Sequence, residues 1–445
     1  MEEGIAMRKL RNSSPPQIII GAFLCMMLIG TLLLKLPIAT THSVSWIDTW
    51  FTVTSALTVT GLTVVDTAGT YTIFGEMVLA GLIQLGGLGI MTFAVVTILL
   101  LGKRIGLKER LVLQHSLNQD AMGGVIRLAK QLLVFSLIIE LIAMLVLSIR
   151  WIPTLGWGKG IYYSFFHSIS AFNNAGFALW SDNLMNYEVD PLVNIVISLL
   201  IITGGLGFTV LIDLLENRRW KKLSLHSKLM VLGTLITNMV AMLLIFLFEY
   251  NNPNSLAMLH SFGDKLWASY FQAITARTAG FNTMDIAGLE EPTLFLLLLL
   301  MFIGAGSAST GGGIKLTTFI VISFAVITFL KGKEEIVIGR RSISQFVILR
   351  SLAVTIMGIA LLTIGIFSLL LTENQSFLSL VFEVISAFGT VGLSMGITGS
   401  LTLIGKITII LLMVFGKIGP LTLAFAIAKN TRAKIRYPNE EILTG

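Results

Sequence analysis

Apolar residues occur along this chain in long blocks, and polar or charged residues collect in the short stretches between them. Each of eight blocks is long enough to cross the roughly 30 Å hydrocarbon layer of a bilayer as a helix. The blocks lie at about residues 17–37, 73–101, 130–152, 192–215, 229–250, 293–330, 347–371 and 401–428. The pattern predicts an all-α polytopic membrane protein embedded in a lipid bilayer.

The composition agrees with a membrane protein and excludes several kinds of metal site. The 445 residues are 55% hydrophobic and only 12% charged, whereas a soluble domain has about 25% charged residues. The lone cysteine, Cys25, excludes a disulfide within the chain and a cluster of thiolate metal ligands. No two of the five histidines stand four positions apart, so the common zinc-enzyme spacing is absent from the sequence.

The charges are divided unevenly between the two sides of the predicted membrane. Most of the 31 lysines and arginines lie in residues 1–16, 102–130, 217–228, 331–350 and 429–445, which share one side if there are eight spans. The other loops hold few cations and many of the acids. By the positive-inside rule, both termini are expected in the cytoplasm. Since this asymmetry accounts for most of the net charge of +7, we expect no nucleic-acid partner.

Four stretches between the spans resemble one another: WFTVTSALTVTG, FFHSISAFNNAG, YFQAITARTAG and VFEVISAFGTVG. Each starts with an aromatic residue and ends on a glycine about ten positions later, at Gly61, Gly176, Gly280 and Gly392. A span with a second glycine cluster follows each stretch. The order of elements predicts four parallel copies of span, short pore helix, glycine turn and span. Such copies have pseudo-fourfold symmetry about one central axis along the membrane normal.

The repeats divide the chain into four units and two cytosolic tails. The predicted boundaries are 1–16 for the N-terminal tail, 17–101, 130–216, 229–330 and 347–428 for repeats 1 to 4, and 429–445 for the C-terminal tail.

The glycine turns are candidates for a cation-binding filter. The short helices cannot cross the bilayer, so they re-enter on the outer side, where irregular backbone survives only against protein or water. Their C-terminal ends carry partial negative charge and would point at a shared cavity. Rings of backbone carbonyls there can replace the hydration shell of a potassium ion. The predicted filter residues are Val59, Thr60, Gly61, Asn174, Ala175, Gly176, Thr278, Ala279, Gly280, Thr390, Val391 and Gly392. The alternative is that these glycines only allow close helix packing, which is our interpretation of the GGLG clusters at 86–89 and 204–207.

The block at 293–330 is too long for one span and contains GAGSASTGGG at 304–313. Five glycines there disfavour a helix, so we expect a helix to Ile303, an irregular loop, and a second helix to Leu330. Beneath the filter, such a loop would act as a gate, or it would only kink the span. Lysines inside a membrane are functional candidates, whereas Glu140 is expected to be a buried structural partner. The predicted gate residues are Gly304, Gly306, Ser307, Ser309, Thr310, Gly311, Gly312, Gly313, Lys315 and Lys417.

Four span–pore-helix–span units with a glycine in each turn resemble the Trk/Ktr/HKT potassium transporter superfamily, and most of all the KtrB-type membrane subunits of bacterial Ktr systems. The resemblance covers residues 17 to 430. It implies potassium selectivity, because members with serine at the Gly61 position tend to pass sodium. It also implies an intramembrane gate loop in the third repeat and a basic residue at the Lys417 position.

The same resemblance implies properties that the residues do not show by themselves. Potassium ion is the expected substrate, with sodium ion as a possible activator or companion, and no nucleotide binds this chain. The expected partners are a cytosolic, nucleotide-binding regulatory ring of the KtrA type and a second copy of the chain in a homodimer. The basic loops at 102–130, 217–228 and 331–350 would form the docking surface on the inner face of a bacterial plasma membrane.

Two other classes of membrane protein fit the sequence less well than a protein with an ion-conducting filter. An ion-coupled secondary cation transporter with alternating access, for instance a potassium/sodium symporter, is expected to have inverted repeats, but these repeats are parallel. A polytopic membrane enzyme needs a cluster of nucleophile, base or metal ligands, and the sequence shows none. We therefore expect no enzymatic activity.

Overall fold

The computed structural model describes residues 15–89, 92, 111–114, 125–420 and 422. Several predicted segments lie wholly or mostly outside these residues. They are the N-terminal tail at 1–16, the end of the second span at 90–101, most of the basic loop at 102–130, the end of the last span at 421–428 and the C-terminal tail at 429–445.

Helices make up nearly all of the regular structure in the described residues. In chain order they are α1 (Pro15–Leu34), α2 (Trp46–Thr58), α3 (Thr67–Thr70), α4 (Ile73–Leu88), α5 (Val125–Leu155), α6 (Trp157–Phe172), α7 (Pro191–Leu206), α8 (Phe208–Glu216), α9 (Leu225–Glu249), α10 (Phe262–Thr275), α11 (Glu291–Phe302), α12 (Leu316–Leu330), α13 (Gln345–Thr372), α14 (Phe377–Gly389) and α15 (Leu403–Ile418). Short 3-10 turns lie at Met185–Tyr187, Trp220–Lys222, Leu256–Met258, Ile286–Gly288 and Thr398–Ser400. Two short strands, β1 (Val337–Ile338) and β2 (Arg341–Ser342), pair antiparallel in a hairpin, with Val337 opposite Ser342.

Four long helices, α1, α5, α9 and α13, are apolar and long enough to cross a membrane. One of them opens each predicted repeat. Their apolar side chains face outward as well as inward: Leu28, Ile149 and Leu247 are 64%, 69% and 66% exposed. Such exposure in a helix that is apolar all round is typical of contact with lipid. The all-α membrane class predicted from the sequence is therefore confirmed.

Three of the helices that follow the glycine turns are shorter than the predicted spans, because they end at glycines. Helix α4 ends at Leu88, α7 at Leu206 and α15 at Ile418, and the next residue of each is a glycine with φ of +87°, +101° and +87°. After Gly207 the chain bends by 97° into α8. The predicted span over 192–215 is therefore divided into two helices, since the left-handed backbone of Gly207 ends the first of them.

Glycines one turn before these breaks let each helix touch the short helix of the same predicted repeat. A Cβ atom on Gly86, Gly204 or Gly416 would lie 1.9 Å from the carbonyl oxygen of Leu57, Phe172 or Phe388, respectively. No side chain fits in that space. The interpretation of Gly86 and Gly204 as packing glycines is thus confirmed.

The four short helices, α2, α6, α10 and α14, contain 13 to 16 residues, more than the ten or so predicted. They are longer because they begin well before the aromatic residue that marks each repeat. Serine hydroxyls cap three of them: Ser45, Ser261 and Ser376 each accept a hydrogen bond from a backbone N–H of the first turn. The fully buried side chains Phe51, Phe166, Phe271 and Phe382 anchor these helices in the core.

The break in the third repeat lies where the sequence predicts it. Helix α11 ends at Phe302, α12 begins at Leu316, and irregular backbone joins them. A single parallel bridge between Ile303 and Ile314 closes the base of this loop. The predicted helix, loop and second helix over 293–330 are therefore confirmed.

Candidate functional site

The four predicted filter glycines meet in one place and form a closed ring. A Cβ atom on each would collide with a backbone oxygen of the next turn: Gly61 with Ala175 at 2.5 Å, Gly176 with Ala279 at 2.8 Å, Gly280 with Val391 at 2.3 Å, and Gly392 with Thr60 at 2.1 Å. The contacts run from the first turn to the fourth and back to the first. Four segments far apart in sequence therefore surround one point, with no room for side chains between them.

The turns share an unusual backbone conformation. The glycines have φ values of +93°, +68°, +75° and +95°, and the residue two positions earlier is left-handed as well: Val59 at +57°, Asn174 at +59°, Thr278 at +71° and Thr390 at +50°. A left-handed residue other than glycine costs about 1–2 kcal/mol. Because the strain recurs at the same place in all four turns, they are a candidate functional site.

In each turn, one residue lies between the two left-handed residues, and its backbone carbonyl group has no hydrogen-bond donor among the described residues. Within the described part of the chain, the backbone oxygens of Thr60, Ala175, Ala279 and Val391 accept no hydrogen bond, and all four residues are completely buried. Buried carbonyl oxygens are nearly always paired with a donor, water or an ion. Four such oxygens, one from each turn, are candidate ligands for a dehydrated alkali cation.

Hydroxyl side chains of the short helices hold the turns in shape. Ser55 Oγ accepts a hydrogen bond from the Gly61 N–H at 3.1 Å, and Ser386 Oγ accepts one from the Gly392 N–H at 3.1 Å. In the other two turns the hydroxyl donates to the carbonyl after the glycine: Ser170 Oγ to Phe177 O at 2.7 Å, and Thr275 Oγ1 to Phe281 O. The role of these four residues was not predicted from the sequence. The signal was present, since a serine or threonine stands five or six positions before each glycine.

Two further buried polar residues of the short helices fix the chain on the outer side of the ring. His167 Nε2 accepts a hydrogen bond from the Leu179 N–H at 3.3 Å. Glu383 accepts one from Ser394 Oγ at 2.8 Å and another from Thr398 Oγ1. The sequence analysis also missed His167 and Glu383. The signal was present here too, since a polar residue directly follows the phenylalanine of each repeated stretch: Thr52, His167, Gln272 and Glu383.

The ring separates two cavities. The outer cavity, of about 360 Å³, is lined by all four filter glycines together with the acids Asp66 and Asp182. The inner cavity, of about 420 Å³, is lined by residues of the loop at 304–313, called here the crossing loop, and by Lys315 and Lys417. A path between the two cavities through the ring would pass the four unpaired carbonyl oxygens.

The loop at 304–313 lies directly below the third and fourth turns. The Gly312 N–H donates to Thr390 Oγ1 at 2.8 Å, and a Cβ atom on Gly311 would lie 2.3 Å from Thr278 Oγ1. The backbone N–H groups of Thr310 and Gly313 donate to the carbonyl oxygens of Gly204 and Gly416, each at 3.3 Å. The loop is therefore tied to the filter above it and to α7 and α15 on either side.

Two lysines donate to carbonyl oxygens of the same loop. Lys315 Nζ contacts Gly311 O at 2.5 Å and Gly312 O at 3.4 Å. Lys417 Nζ, in the last turn of α15, donates to Thr310 O. Both lysines line the inner cavity. Each holds the loop across the space below the ring.

The remaining predicted gate residues stabilise the loop from within. The Gly304 N–H donates to Ile314 O and the Gly306 N–H to Gly205 O, both at 2.8 Å. Ser307 Oγ lies 2.9 Å from Thr317 Oγ1, and Ser309 Oγ donates to Gly306 O at 2.7 Å. The structure thus brings all of the predicted gate residues into one body beneath the ring.

Comparisons with known proteins place the chain among cation transporters. Residues 6–435 match the TrkH family, described as cation transport proteins. The chain is 57% identical to the Ktr system potassium uptake protein B of Bacillus subtilis over 97% of both chains. It is 38% identical to the potassium/sodium uptake protein NtpJ of Enterococcus hirae, over 98% of this chain and 99% of that protein. The crystal structure of the potassium transporter TrkH from Vibrio parahaemolyticus shares the fold, with a TM-score of 0.71 and 21% identity over 91% of this chain and 84% of that one.

Proposed function

Because the chain belongs to the TrkH family of cation transport proteins, we propose that it takes up potassium ions through the ring of four glycine turns. Potassium uptake is named as the activity of its 57% and 44% identical relatives, which cover nearly the whole chain. The observation that carries the filter proposal is the set of four buried, unpaired carbonyl oxygens. In this proposal the four repeats are parallel and related by pseudo-fourfold symmetry about the ring.

The energetics of the ring suit a monovalent cation. Carbonyl dipoles can replace lost water ligands without a full negative charge that would bind the ion too tightly for release. The C-terminal ends of α2, α6, α10 and α14 adjoin the ring and add partial negative charge. A membrane potential that is negative inside contributes about 2.3 kcal/mol per charge per 100 mV toward inward movement.

In the same proposal, the loop at 304–313 is the gate. It occupies the space below two of the four turns, and Lys315 and Lys417 hold it there by hydrogen bonds to its carbonyl oxygens. Passage of an ion requires the loop to move aside. The glycine-rich sequence allows such a change of backbone conformation at low cost.

Three further features of the proposal concern the cellular setting. The names of the relatives refer to Ktr systems, which supports a partner component beside this membrane subunit. We propose that a cytosolic nucleotide-binding ring docks on basic loops that include 217–228 and 331–350, with both termini on that side. A homodimer and stimulation by sodium belong to the same proposal, and the potassium/sodium uptake relative supports the latter.

The filter and the gate can be tested together by growth and rubidium uptake in a bacterium that lacks its own potassium uptake systems. We expect Gly61→Ser to lose preference for potassium over sodium, because its side chain would lie against Ala175 O. Deletion of residues 306–312 is expected to raise or deregulate flux. Gly21→Ser is the matched control, since a side chain at Gly21 meets no atom within 4 Å. If Gly61→Ser keeps wild-type affinity and selectivity at normal expression, the four glycines are packing residues and the filter proposal is wrong.

A further inference from the structure

A groove between α5 and α8 has no role in the filter or the gate described above. It has a volume of about 360 Å³, and residues of these two helices form its whole lining. Most of them recur every three or four positions: 127, 130–131, 134–135 and 138 on α5, and 208, 211–212 and 215–216 on α8. That spacing places them on one face of each helix. Two helix faces therefore form the opposing walls of this space, called here the α5–α8 groove.

The walls of the groove are apolar over most of their length and open to the surroundings. Val134 and Ile138 of α5 are 47% and 52% exposed, and Leu215 of α8 is 57% exposed. Helix α5 is long and apolar enough to cross a membrane. The apolar part of its wall, from about residue 132 to 138, is about 10 Å long at 1.5 Å per residue. One leaflet of the hydrocarbon core is about 15 Å deep, so the groove can hold the upper part of an acyl chain.

Two cations stand at one end of the groove. Arg127 and Lys130 lie in the first two turns of α5, on the same face of the helix. Both are exposed, and neither forms an ion pair within the part of the chain that the structure describes. Glu216 of α8 also lines the groove and likewise pairs with neither of them. The cations therefore outnumber the carboxylate and leave the lining with a net positive charge.

The charged end lies on the side of the membrane that carries the basic loops. Helix α5 begins at Val125, inside the basic stretch 102–130, and α8 ends at Glu216, directly before the basic stretch 217–228. Trp220, in the 3-10 turn after α8, is 46% exposed, and tryptophan is enriched at the level of the lipid head groups. The two cations are thus placed near the head groups, and the apolar wall of α5 continues toward the bilayer centre.

The groove shares one wall with the inner cavity. Phe208, the first residue of α8, lines both spaces. Its side chain is buried, and its N–H donates to Ala308 O of the crossing loop at 2.8 Å. A single residue therefore separates an occupant of the groove from the proposed gate.

We propose that the α5–α8 groove binds one anionic phospholipid. Its phosphate lies between Arg127 and Lys130, and an acyl chain follows the apolar walls toward Phe208. Basic pockets between membrane helices suit anionic head groups, and each cation near such a head group contributes a factor of about five in affinity. The apolar walls favour a lipid over a soluble anion. A second copy of the chain is disfavoured, because a symmetric contact would bring two cationic rims together. The inference goes beyond the proposed function and does not depend on the filter.

The test is a lipid titration of the purified full-length protein in neutral detergent, with bound lipid per chain counted by native mass spectrometry. We expect the wild-type chain to bind phosphatidylglycerol at least about tenfold more tightly than zwitterionic phosphatidylcholine. Combining Arg127→Gln with Lys130→Gln should weaken phosphatidylglycerol binding about 25-fold, and Glu216→Gln should tighten it about fivefold. The matched control combines Lys331→Gln with Lys333→Gln. It removes two exposed cations that do not line the groove, so the affinity should stay unchanged.

A second pair of variants tests the apolar walls without changing the charge. Leu215→Trp fills the groove and should weaken phosphatidylglycerol binding at least severalfold. Ile149→Trp is its control, because Ile149 of α5 is 69% exposed but lies outside the groove, and it should bind as the wild type does.

Three results would overturn the inference. They are equal affinity of the wild-type chain for the two lipids, wild-type affinity in the variant that lacks Arg127 and Lys130, and an equal loss in either control. A wild-type dimer that carries no lipid and that Leu215→Trp dissociates would also overturn it, since a second copy would then cover the groove. If the variant without the two cations does not accumulate, Glu216→Gln decides: tighter binding supports the lipid site, and unchanged or weaker binding refutes it.

Discussion

The lysine at the end of α15 offers a direct test of how the crossing loop is held. Lys417 Nζ donates to Thr310 O in the middle of the loop. Replacement by glutamine shortens the side chain and removes the charge, so this bond is lost. The loop then retains its uncharged contacts to Gly204, Gly416 and Thr390 and the second lysine contact from Lys315.

A hydrogen bond from a charged donor contributes about 1.5–3 kcal/mol. If the bond exists only while the loop lies across the pathway, its loss raises the ratio of displaced to closed loop by about 10- to 100-fold. Removal of a positive charge from the inner cavity lowers the electrostatic barrier to a cation, which acts in the same direction. We therefore expect Lys417→Gln to increase the initial rate of uptake at least severalfold.

The assay is rubidium influx into potassium-loaded vesicles containing the purified protein, with the initial rate expressed per molecule. Lys417→Arg is the matched control for both causes, because it keeps the charge and can still donate to the loop; its rate should stay near wild type. Lys406→Gln removes a cation from the same helix that pairs with Asp48 instead of the loop, and we expect it to leave the rate unchanged. Wild-type flux in Lys417→Gln, with intact folding, would show that the lysine does not restrain the loop.

Three shorter predictions test packing, filter support and pH dependence. Gly204→Ala should prevent accumulation of folded protein, because its Cβ would lie 1.9 Å from a carbonyl oxygen, whereas Gly81→Ala, which meets nothing within 4 Å, should be neutral or slightly stabilising in thermal unfolding. Ser55→Ala should weaken discrimination between rubidium and sodium in competition uptake, since it leaves the partly buried N–H of Gly61 without its acceptor, at a cost of about 1 kcal/mol. Burial and the charge of Asp264 raise the pKa of Glu188, in the loop before α7, to about 7. Between pH of about 4.5 and 7 the folded state therefore keeps a proton on Glu188 that the unfolded chain has released. Stability falls as the pH rises across that window, and Glu188→Gln should remove this fall in melting temperatures measured at pH 5 and 8.

The sequence was informative wherever composition over a short window decides the structure. Long apolar blocks, the turn glycines and the glycine-rich loop each leave a local signal, so the positions of the long helices, the convergence of Gly61, Gly176, Gly280 and Gly392, and the break between Phe302 and Leu316 were predictable. The lengths of the short helices were not. Three of their N-terminal caps are single serines that stand outside the repeated motif, and α6 begins after Gly156.

Other features depend on distances that no sequence pattern encodes. The bend at Gly207 arises because the Gly207 backbone packs against Ser307 of the loop, where a Cβ atom would lie 2.4 Å from the Ser307 carbonyl oxygen. The bond from Lys417 to Thr310 spans more than a hundred residues. Glu140 of α5 accepts hydrogen bonds from Gln84 of α4 and from Asn173, the residue after α6. Only the folded chain brings such partners together, so sequence reasoning could mark Lys417 and Glu140 as unusual without identifying what they contact.

The closed ring also explains how strained, left-handed residues can be present in all four turns. Left-handed backbone at Val59, Thr278 and Thr390 is unfavourable for β-branched side chains, so each turn is unstable by itself. The hydroxyl groups of the short helices recover part of this cost. The rest must come from contact with the neighbouring turn, because each glycine packs on the backbone of the next. The conformation that leaves four carbonyl oxygens without a hydrogen bond is therefore a property of the closed ring, and each turn depends on the presence of the other three.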